Sequence, residues 1–269
     1  SPPERGKVPP VPRNEAPGVG GFSAVSFANT SHFDATTNRS LRPADLAPAN
    51  VATSVAFCTL MNDFTRHLWE QQDRHPGDRL RLFGAVRDHI GDVPAMYPGS
   101  YVDIASSFVF DSVTYVDSDH RAARFFADAT GVDEIILQAR PQPTRANWRF
   151  IHSDYAGELD VADQSVGLLI SLYAGFVSEY CTRYLRPGGW LLVNPSHGDA
   201  AMASIDPRYR LTAVIKARSG RYSVTDSDLE KFMIPKRPTT VTAESLRTSG
   251  RGIAYTRSPF AYLFQRNDD

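Results

Sequence analysis

The apolar positions of this 269-residue chain fall into two regimes. From residue 50 to residue 91 they recur at three- and four-residue steps, and after Asp92 they gather into short runs separated by turns. In "VATSVAFCTLMNDFTRHLWEQQDR", Val51, Val55, Cys58, Met61, Phe64 and Leu68 form one stripe, which predicts a helix capped by Asn50 and ended by Pro76 and Gly77. A second helix is expected over "RLRLFGAVRDHI". Asp78 is its cap, Phe83, Val86 and Ile90 lie on one face, and Gly91 is its stop.

Beyond Asp92 the pattern alternates. "VPAMY", "SVTYVDSD", "NWRFIHSD", "SVGLLISLY" and "WLLVNPS" read as strands. "DHRAARFFADATG", stopping at Gly131, and "GFVSEYCTRYL" read as helices and "RPGG" as a turn, while "VDEIILQA" is ambiguous, another helix being one reading of it. Strand–helix alternation predicts a doubly wound α/β fold, with a mostly parallel sheet covered on both faces. "RYRLTAVIKA" and "SPFAYLFQR", divided by the helical candidate "TDSDLEKFM", add an antiparallel pair at the end of the sheet. Three regions follow: 1–49, a proline-rich tail or lid; 50–91, a helical extension; and 92–269, a Rossmann-like domain.

Composition narrows the chemistry. A formal net charge of −1 supplies no field that favours polyanions. Nucleic acid is therefore the less favoured partner and a small molecule the more favoured one. The basic segment holding Lys236, Arg237, Arg247 and Arg251 is the one local candidate for a polyanion patch. The two cysteines, Cys58 and Cys181, have no Cys or His at metal-ligand spacing. They read as small buried apolar groups in a reducing compartment, and no metal is expected. No apolar run approaches the ~18 residues of a membrane span, and no secretory signal is evident, so the expectation is cytoplasmic.

In open parallel sheets ligands bind beyond the carboxyl ends of the strands, where the strand order reverses. The residues at those ends are Tyr97, Gly99, Ser100 and Tyr101; Asp117, Ser118 and Asp119; Asp154 and Tyr155; Leu172 and Tyr173; and Asn194 to His197. Gly99 lets backbone approach a ligand closely. Asp117 follows it at near the ~20-residue interval at which an acid meets ribose hydroxyls. Asp119 is the second candidate for that role, or else a helix cap. Asp154 suits the exocyclic amine of a purine, with Tyr155 or Tyr173 packed on the base. His197, with Asp199 two residues on, is the candidate general base, and its alternative is a loop histidine capping a helix near Asp199. Only Gly99 is present where a nicotinamide-type fingerprint needs three glycines, which argues against an oxidoreductase.

The segment "YCTRYLRPGGWLLVNPS" resembles the Leu-Lys-Pro-Gly-Gly-strand signature of the class I S-adenosylmethionine-dependent methyltransferase family. "VTYVDSDHRAARFFA", "RFIHSDY" and "VGLLISLYAG" are similar to that family's second, third and fourth strands. The resemblance covers roughly residues 78–266. It implies a seven-stranded sheet with an antiparallel last strand, S-adenosylmethionine as cofactor, and methyl transfer to a small-molecule acceptor. The alternative is a methyltransferase-like binding or scaffold protein. The first motif departs from the family's acid followed by alternate glycines. Tyr97 stands in the acid's place, and Tyr101 and Asp103 stand in those of the later glycines. Either Tyr97, Ser100 and Asp103 hold the cofactor's amino-acid end by an unusual route, or that end is not held.

Overall fold

Strands β1 (Ala95–Pro98) and β4 (Val166–Ser171) are buried at every position. That is how central parallel strands covered on both faces read in sequence, as continuous apolar runs. The computed structural model describes residues 61–141, 145–238 and 240–268, which lie within the unit Ala56–Asp269. The expected tail over residues 1–49 and the helix start at Asn50 fall outside the described residues.

Eight strands form one sheet in the order β3 (Asn147–His152), β2 (Ser112–Asp117), β1, β4, β5 (Leu185–Val193), β8 (Ala261–Arg266), β6 (Tyr209–Arg218) and β7 (Arg221–Thr225). Strands β2 and β3 continue parallel from β1 on one side. Strand β5 continues parallel from β4 on the other. The order reverses between β1 and β4. The last strand, β8, inserts antiparallel between β5 and β6. The sheet has one strand more than expected. Strand β7 folds back on β6 through Ser219 and Gly220, both at positive φ, in the left-handed geometry that tight hairpins favour.

Period-two alternation sorts side chains to the two faces. Ala95, Tyr97, Val113, Tyr115, Leu168 and Ile170 belong to one buried cluster. Helices α2 (Asp78–Ile90), α3 (His120–Ala127) and α4 (Ala129–Ala139) contribute to it through Phe83, Phe125 and Ile135. Met96, Val116, Leu169, Leu191 and Val193 belong to the other, with Val177 of α5 (Val177–Tyr180) and Ala200 of α6 (Asp199–Ile205).

Several boundaries differ from expectation for local reasons. Helix α1 (Asp63–Gln72) begins after Asn62, whose side chain accepts from Thr65 N–H. Asp78 lies inside the first turn of α2; Gly77, at φ 76°, holds the cap position, and Asp78 accepts instead from the Tyr222 hydroxyl. The helix expected to stop at Gly131 breaks earlier, at Asp128. That side chain caps α4 by accepting from Gly131 N–H. The "RPGG" turn is an excursion within β5. Pairing with β4 jumps from Val166↔Leu185 to Leu168↔Trp190 across it. "TDSDLEKFM" supplies only a 3₁₀ turn, Leu229–Phe232, and a short helix, α7 (Ala243–Ser249), follows it.

A Cβ added to Gly189 would lie 2.8 Å from the Arg186 carbonyl oxygen, whereas one added to Gly84, mid-way along α2, would meet nothing within 4 Å. Gly84→Ala should therefore raise stability by ~0.5–1 kcal/mol. Gly189→Ala should lower it by ~1–3 kcal/mol. Urea-denaturation midpoints of the two variants check both signs.

Candidate functional site

At the reversal point the chain leaves β1 through Gly99, at φ 67°. The N–H groups of Gly99 and Ser100 both donate to the Val116 carbonyl, at 2.8 and 3.4 Å. This turns the backbone over the end of β2 and brings Tyr101 N–H to Asp117 Oδ2 at 2.7 Å. Asp119 N–H donates to Asp117 Oδ1 at 2.8 Å. Each carboxylate oxygen thus holds one backbone donor and keeps a second lone-pair direction, the arrangement that receives a vicinal diol. Asp119 is the cap of α3, accepting from Arg121 N–H, and it pairs with the Arg121 guanidinium at 2.7 Å. That guanidinium lies over the Tyr101 ring. The Ser118 carbonyl accepts from His152 Nε2 at 3.1 Å, at the exposed edge of the sheet.

The connection from β1 to β2 contains no long helix. It holds a single 3₁₀ turn, Ala105–Phe108, pinned by the buried Tyr115 hydroxyl, which donates to the Ile104 carbonyl and accepts from Ser107 N–H. Just before that turn, Asp103 is buried. It accepts from the Tyr97 hydroxyl at 3.2 Å and from Ala105 N–H at 3.2 Å, and its Oδ2 lies 3.4 Å from Arg79 Nε. Burial raises the Asp103 carboxyl above its ordinary range, against the pull of Arg79. Burial also works against the charged Arg79, but Asp103 and the surrounding tyrosines outweigh it and hold the guanidinium above its ordinary value.

Arg79 was not a sequence candidate. The signal was present: Arg79 stands four residues before Phe83 on the apolar stripe of α2, where a charge has to find a buried partner. Its Nη1 is buried without a hydrogen-bond partner among the described residues, a condition that costs ~1–3 kcal/mol. Its guanidinium carbon lies 5.5 Å from the centre of the Tyr173 ring.

Tyr173 follows β4. It is exposed, at φ 63°, while Leu172 before it is buried in the core. From the β3 side, the Asp154 side chain accepts from Ala156 N–H at 2.9 Å and is otherwise exposed. Tyr155 reaches across to the β4 loop. Its hydroxyl donates to the Gly175 carbonyl at 2.7 Å and accepts from Gly175 N–H at 3.1 Å. Burial pushes that hydroxyl up to about 12, so it keeps its proton. A Cβ on Gly99 would lie 2.8 Å from Ala174 Cβ and 3.4 Å from the Tyr155 ring, so the loops after β1, β3 and β4 meet at this glycine.

After β5, the buried Asn194 Oδ1 accepts from Tyr173 N–H at 3.2 Å and from Ser196 Oγ at 2.7 Å. The backbone donor fixes which end of the amide faces it. Ser196 therefore gives its proton to Asn194, and its oxygen accepts from His197 Nδ1 at 2.9 Å. His197 is left exposed, with Nε2 as a free acceptor. Asp199 does not share in this chain of bonds. It is 1% exposed and takes hydrogen bonds from Ser171 Oγ, Ser178 N–H and Ser178 Oγ. The structure thus gathers Tyr97, Gly99, Ser100, Asp103, Asp117, Tyr155, Tyr173 and His197 along the carboxyl edge, and places Asp199 beneath it as the link between β4, α5 and α6.

The mostly parallel sheet and the antiparallel insertion of its last strand are those the methyltransferase resemblance implies, with β7 as an added strand. No protein-family model and no curated protein matches the chain. Similar solved structures include an S-adenosylmethionine-dependent methyltransferase from Thermotoga maritima, described as a possible histamine N-methyltransferase. It is 11% identical over 76% of this chain and 98% of its own, with a TM-score of 0.41. A putative S-adenosyl-L-methionine-dependent methyltransferase from Methanococcus maripaludis is 12% identical over 77% and 96%, at 0.42. The N-methyltransferase NodS from Bradyrhizobium japonicum, in complex with S-adenosyl-L-homocysteine, is 14% identical over 78% and 95%, at 0.41.

The donor set of this chain fits an adenosyl ligand at two points. Asp117 has the open lone pairs a ribose needs, and Asp154 has an exposed carboxylate. Among the described residues no group of three or more His, Cys, Asp or Glu is arranged to hold a metal ion, and no helix is long and apolar enough to cross a membrane.

Burial raises the Asp199 carboxyl above its ordinary 3.8, despite the bonds from Ser171 and Ser178. A carboxyl raised in the folded state binds protons more readily there. Its stabilising contribution is complete below the unfolded value and is lost as pH rises through the folded one. The stability of wild type relative to Asp199→Asn should therefore rise as pH falls from 7 towards 4. Urea midpoints across that range check this, and a pH-independent gap would contradict it.

Proposed function

We propose that this chain binds S-adenosylmethionine along the carboxyl edge of its sheet and directs its methyl group to a small-molecule acceptor. The observation that carries the proposal is the Asp117 carboxylate. It is fixed by two backbone N–H groups at the end of β2, beside the Gly99 turn, with a lone pair on each oxygen open to the ribose hydroxyls. Asp154, exposed after β3, offers its carboxylate to the adenine amine.

When bound, the cofactor supplies an activated sulfonium methyl. The chain's own contribution is to hold the acceptor in line with it and to take up the acceptor's proton. His197 suits the second task. The Tyr173–Asn194–Ser196 chain of bonds places the imidazole proton on Nδ1 and leaves Nε2 to accept, in the tautomer a base requires. Asp199, spent on serines, has no part in this assignment. A small acceptor is favoured over a nucleic acid by the near-zero net charge and by the pairing of Arg247, in the basic segment, with Glu179. Tyr97 in the place of an acid supports the second reading, a protein that binds the adenosyl ligand without transferring methyl.

Calorimetry with S-adenosylmethionine, S-adenosylhomocysteine and NAD separates the readings. Binding of the sulfur ligands alone is expected, and no binding of either at millimolar concentration overturns both. Asp117→Ala should weaken that binding by ~10- to 100-fold, the worth of hydrogen bonds to a charged group. In an acceptor screen, His197→Ala should lower turnover by ~10²- to 10⁴-fold and leave S-adenosylhomocysteine affinity unchanged. Binding without turnover of any acceptor selects the second reading.

A further inference from the structure

Along the edge, the diol-accepting Asp117 stands at the end of β2. The Arg79 guanidinium stands between the β1 loop, through Asp103, and the β4 loop, through Tyr173. Two strand spacings, ~10 Å, separate the ends of β2 and β4. Only part of the guanidinium is occupied. Nε faces Asp103, and Nη1 is buried with no partner among the described residues. A planar guanidinium with open N–H groups pairs with a carboxylate above other anions of that size. The ion pair with Asp103 adds no net charge, which suits a ligand group that is itself a zwitterion. The Tyr97 hydroxyl, donating to Asp103, holds that partner in place.

On the reading that the edge binds an adenosyl ligand, we propose that Arg79 is its specificity-determining residue, taking the carboxylate of the ligand's amino-acid arm. A ribose on Asp117 with its arm laid across Gly99 towards β4 brings an α-carboxylate to Arg79. Asp103 acts through Arg79 as a positioning residue and does not touch the ligand. Tyr173 is exposed, with its ring centre 5.5 Å from the guanidinium carbon.

The test compares S-adenosylhomocysteine with 5′-methylthioadenosine, which carries the same adenosyl group without the amino-acid arm, by calorimetry on the full chain. Wild type should prefer S-adenosylhomocysteine by on the order of tenfold or more. Arg79→Met should abolish that preference and leave 5′-methylthioadenosine affinity unchanged, and Arg79→Lys should restore part of it. Because Arg79→Met strands a buried carboxylate, the double variant Arg79→Met with Asp103→Asn, which removes both charges, is measured beside it. Equal wild-type affinities, or a preference that survives in both variants, overturn the role of Arg79 and leave the adenosyl site standing. Failure of wild type to bind either compound overturns the adenosyl site, and this inference with it.

Discussion

A carboxylate that is 2% exposed needs a partner, and for Asp103 that partner is a cation delivered by another element. Removing either charge would leave the other buried and uncompensated, which is why such pairs resist single substitution. The pairing ties α2 to the β1 loop, beside the core contacts of Leu82, Phe83 and Val86. Helix α2 then carries the constraint outward. Asp78 takes the Tyr222 hydroxyl, and Arg81 Nε donates to the Gly220 carbonyl, so the hairpin of β6 and β7 is held by the same helix. Helix α2 thus ties the β1 loop to the β6–β7 hairpin.

Two carboxylates near the carboxyl edge of the sheet show how burial divides labour between chemically identical groups. Asp199 is surrounded by serine hydroxyls and backbone N–H, and its capacity is filled by the protein. Asp117 is half-buried and holds only two backbone donors. The fold fills one carboxylate and leaves lone pairs open on the other. The difference lies in how many donors the fold spends on each, which spacing along the chain does not reveal.

The strands were legible because apolar runs and β-branched residues report burial directly. Ala95–Pro98 and Val166–Ser171 lie where the pattern placed them. The acids after β2 and β3 were legible by their position at strand ends. What escaped the pattern were features decided by partners distant in sequence. The break at Asp128 depends on a side chain turning back to cap α4, while local propensity continues through it. Asp78 looked like a cap until Tyr222 is seen to claim it, and Asp199 looked like a partner for His197 until the serines are placed around it. Strand β7 is short, with only Tyr222 and Val224 turned to the core between exposed Arg221 and Ser223, so its pairing with β6 is what marks it as a strand.

Inserting the last strand between two earlier ones has a consequence for how the protein is made. Strand β5 pairs with β4 on one side, and its other side waits for residues 261–266. During synthesis, everything up to β5 can assemble while the open row of N–H and C=O groups on β5 stays exposed, flanked by the apolar residues Leu191 and Val193. Strand β6, emerging next, has the option of pairing with that edge directly, and it has to be displaced or held off for β8 to enter. The nascent chain therefore passes through a stage in which its most hydrophobic edge is unprotected. That places the interval between β5 and β8 as the point where chaperone capture or aggregation competes with folding.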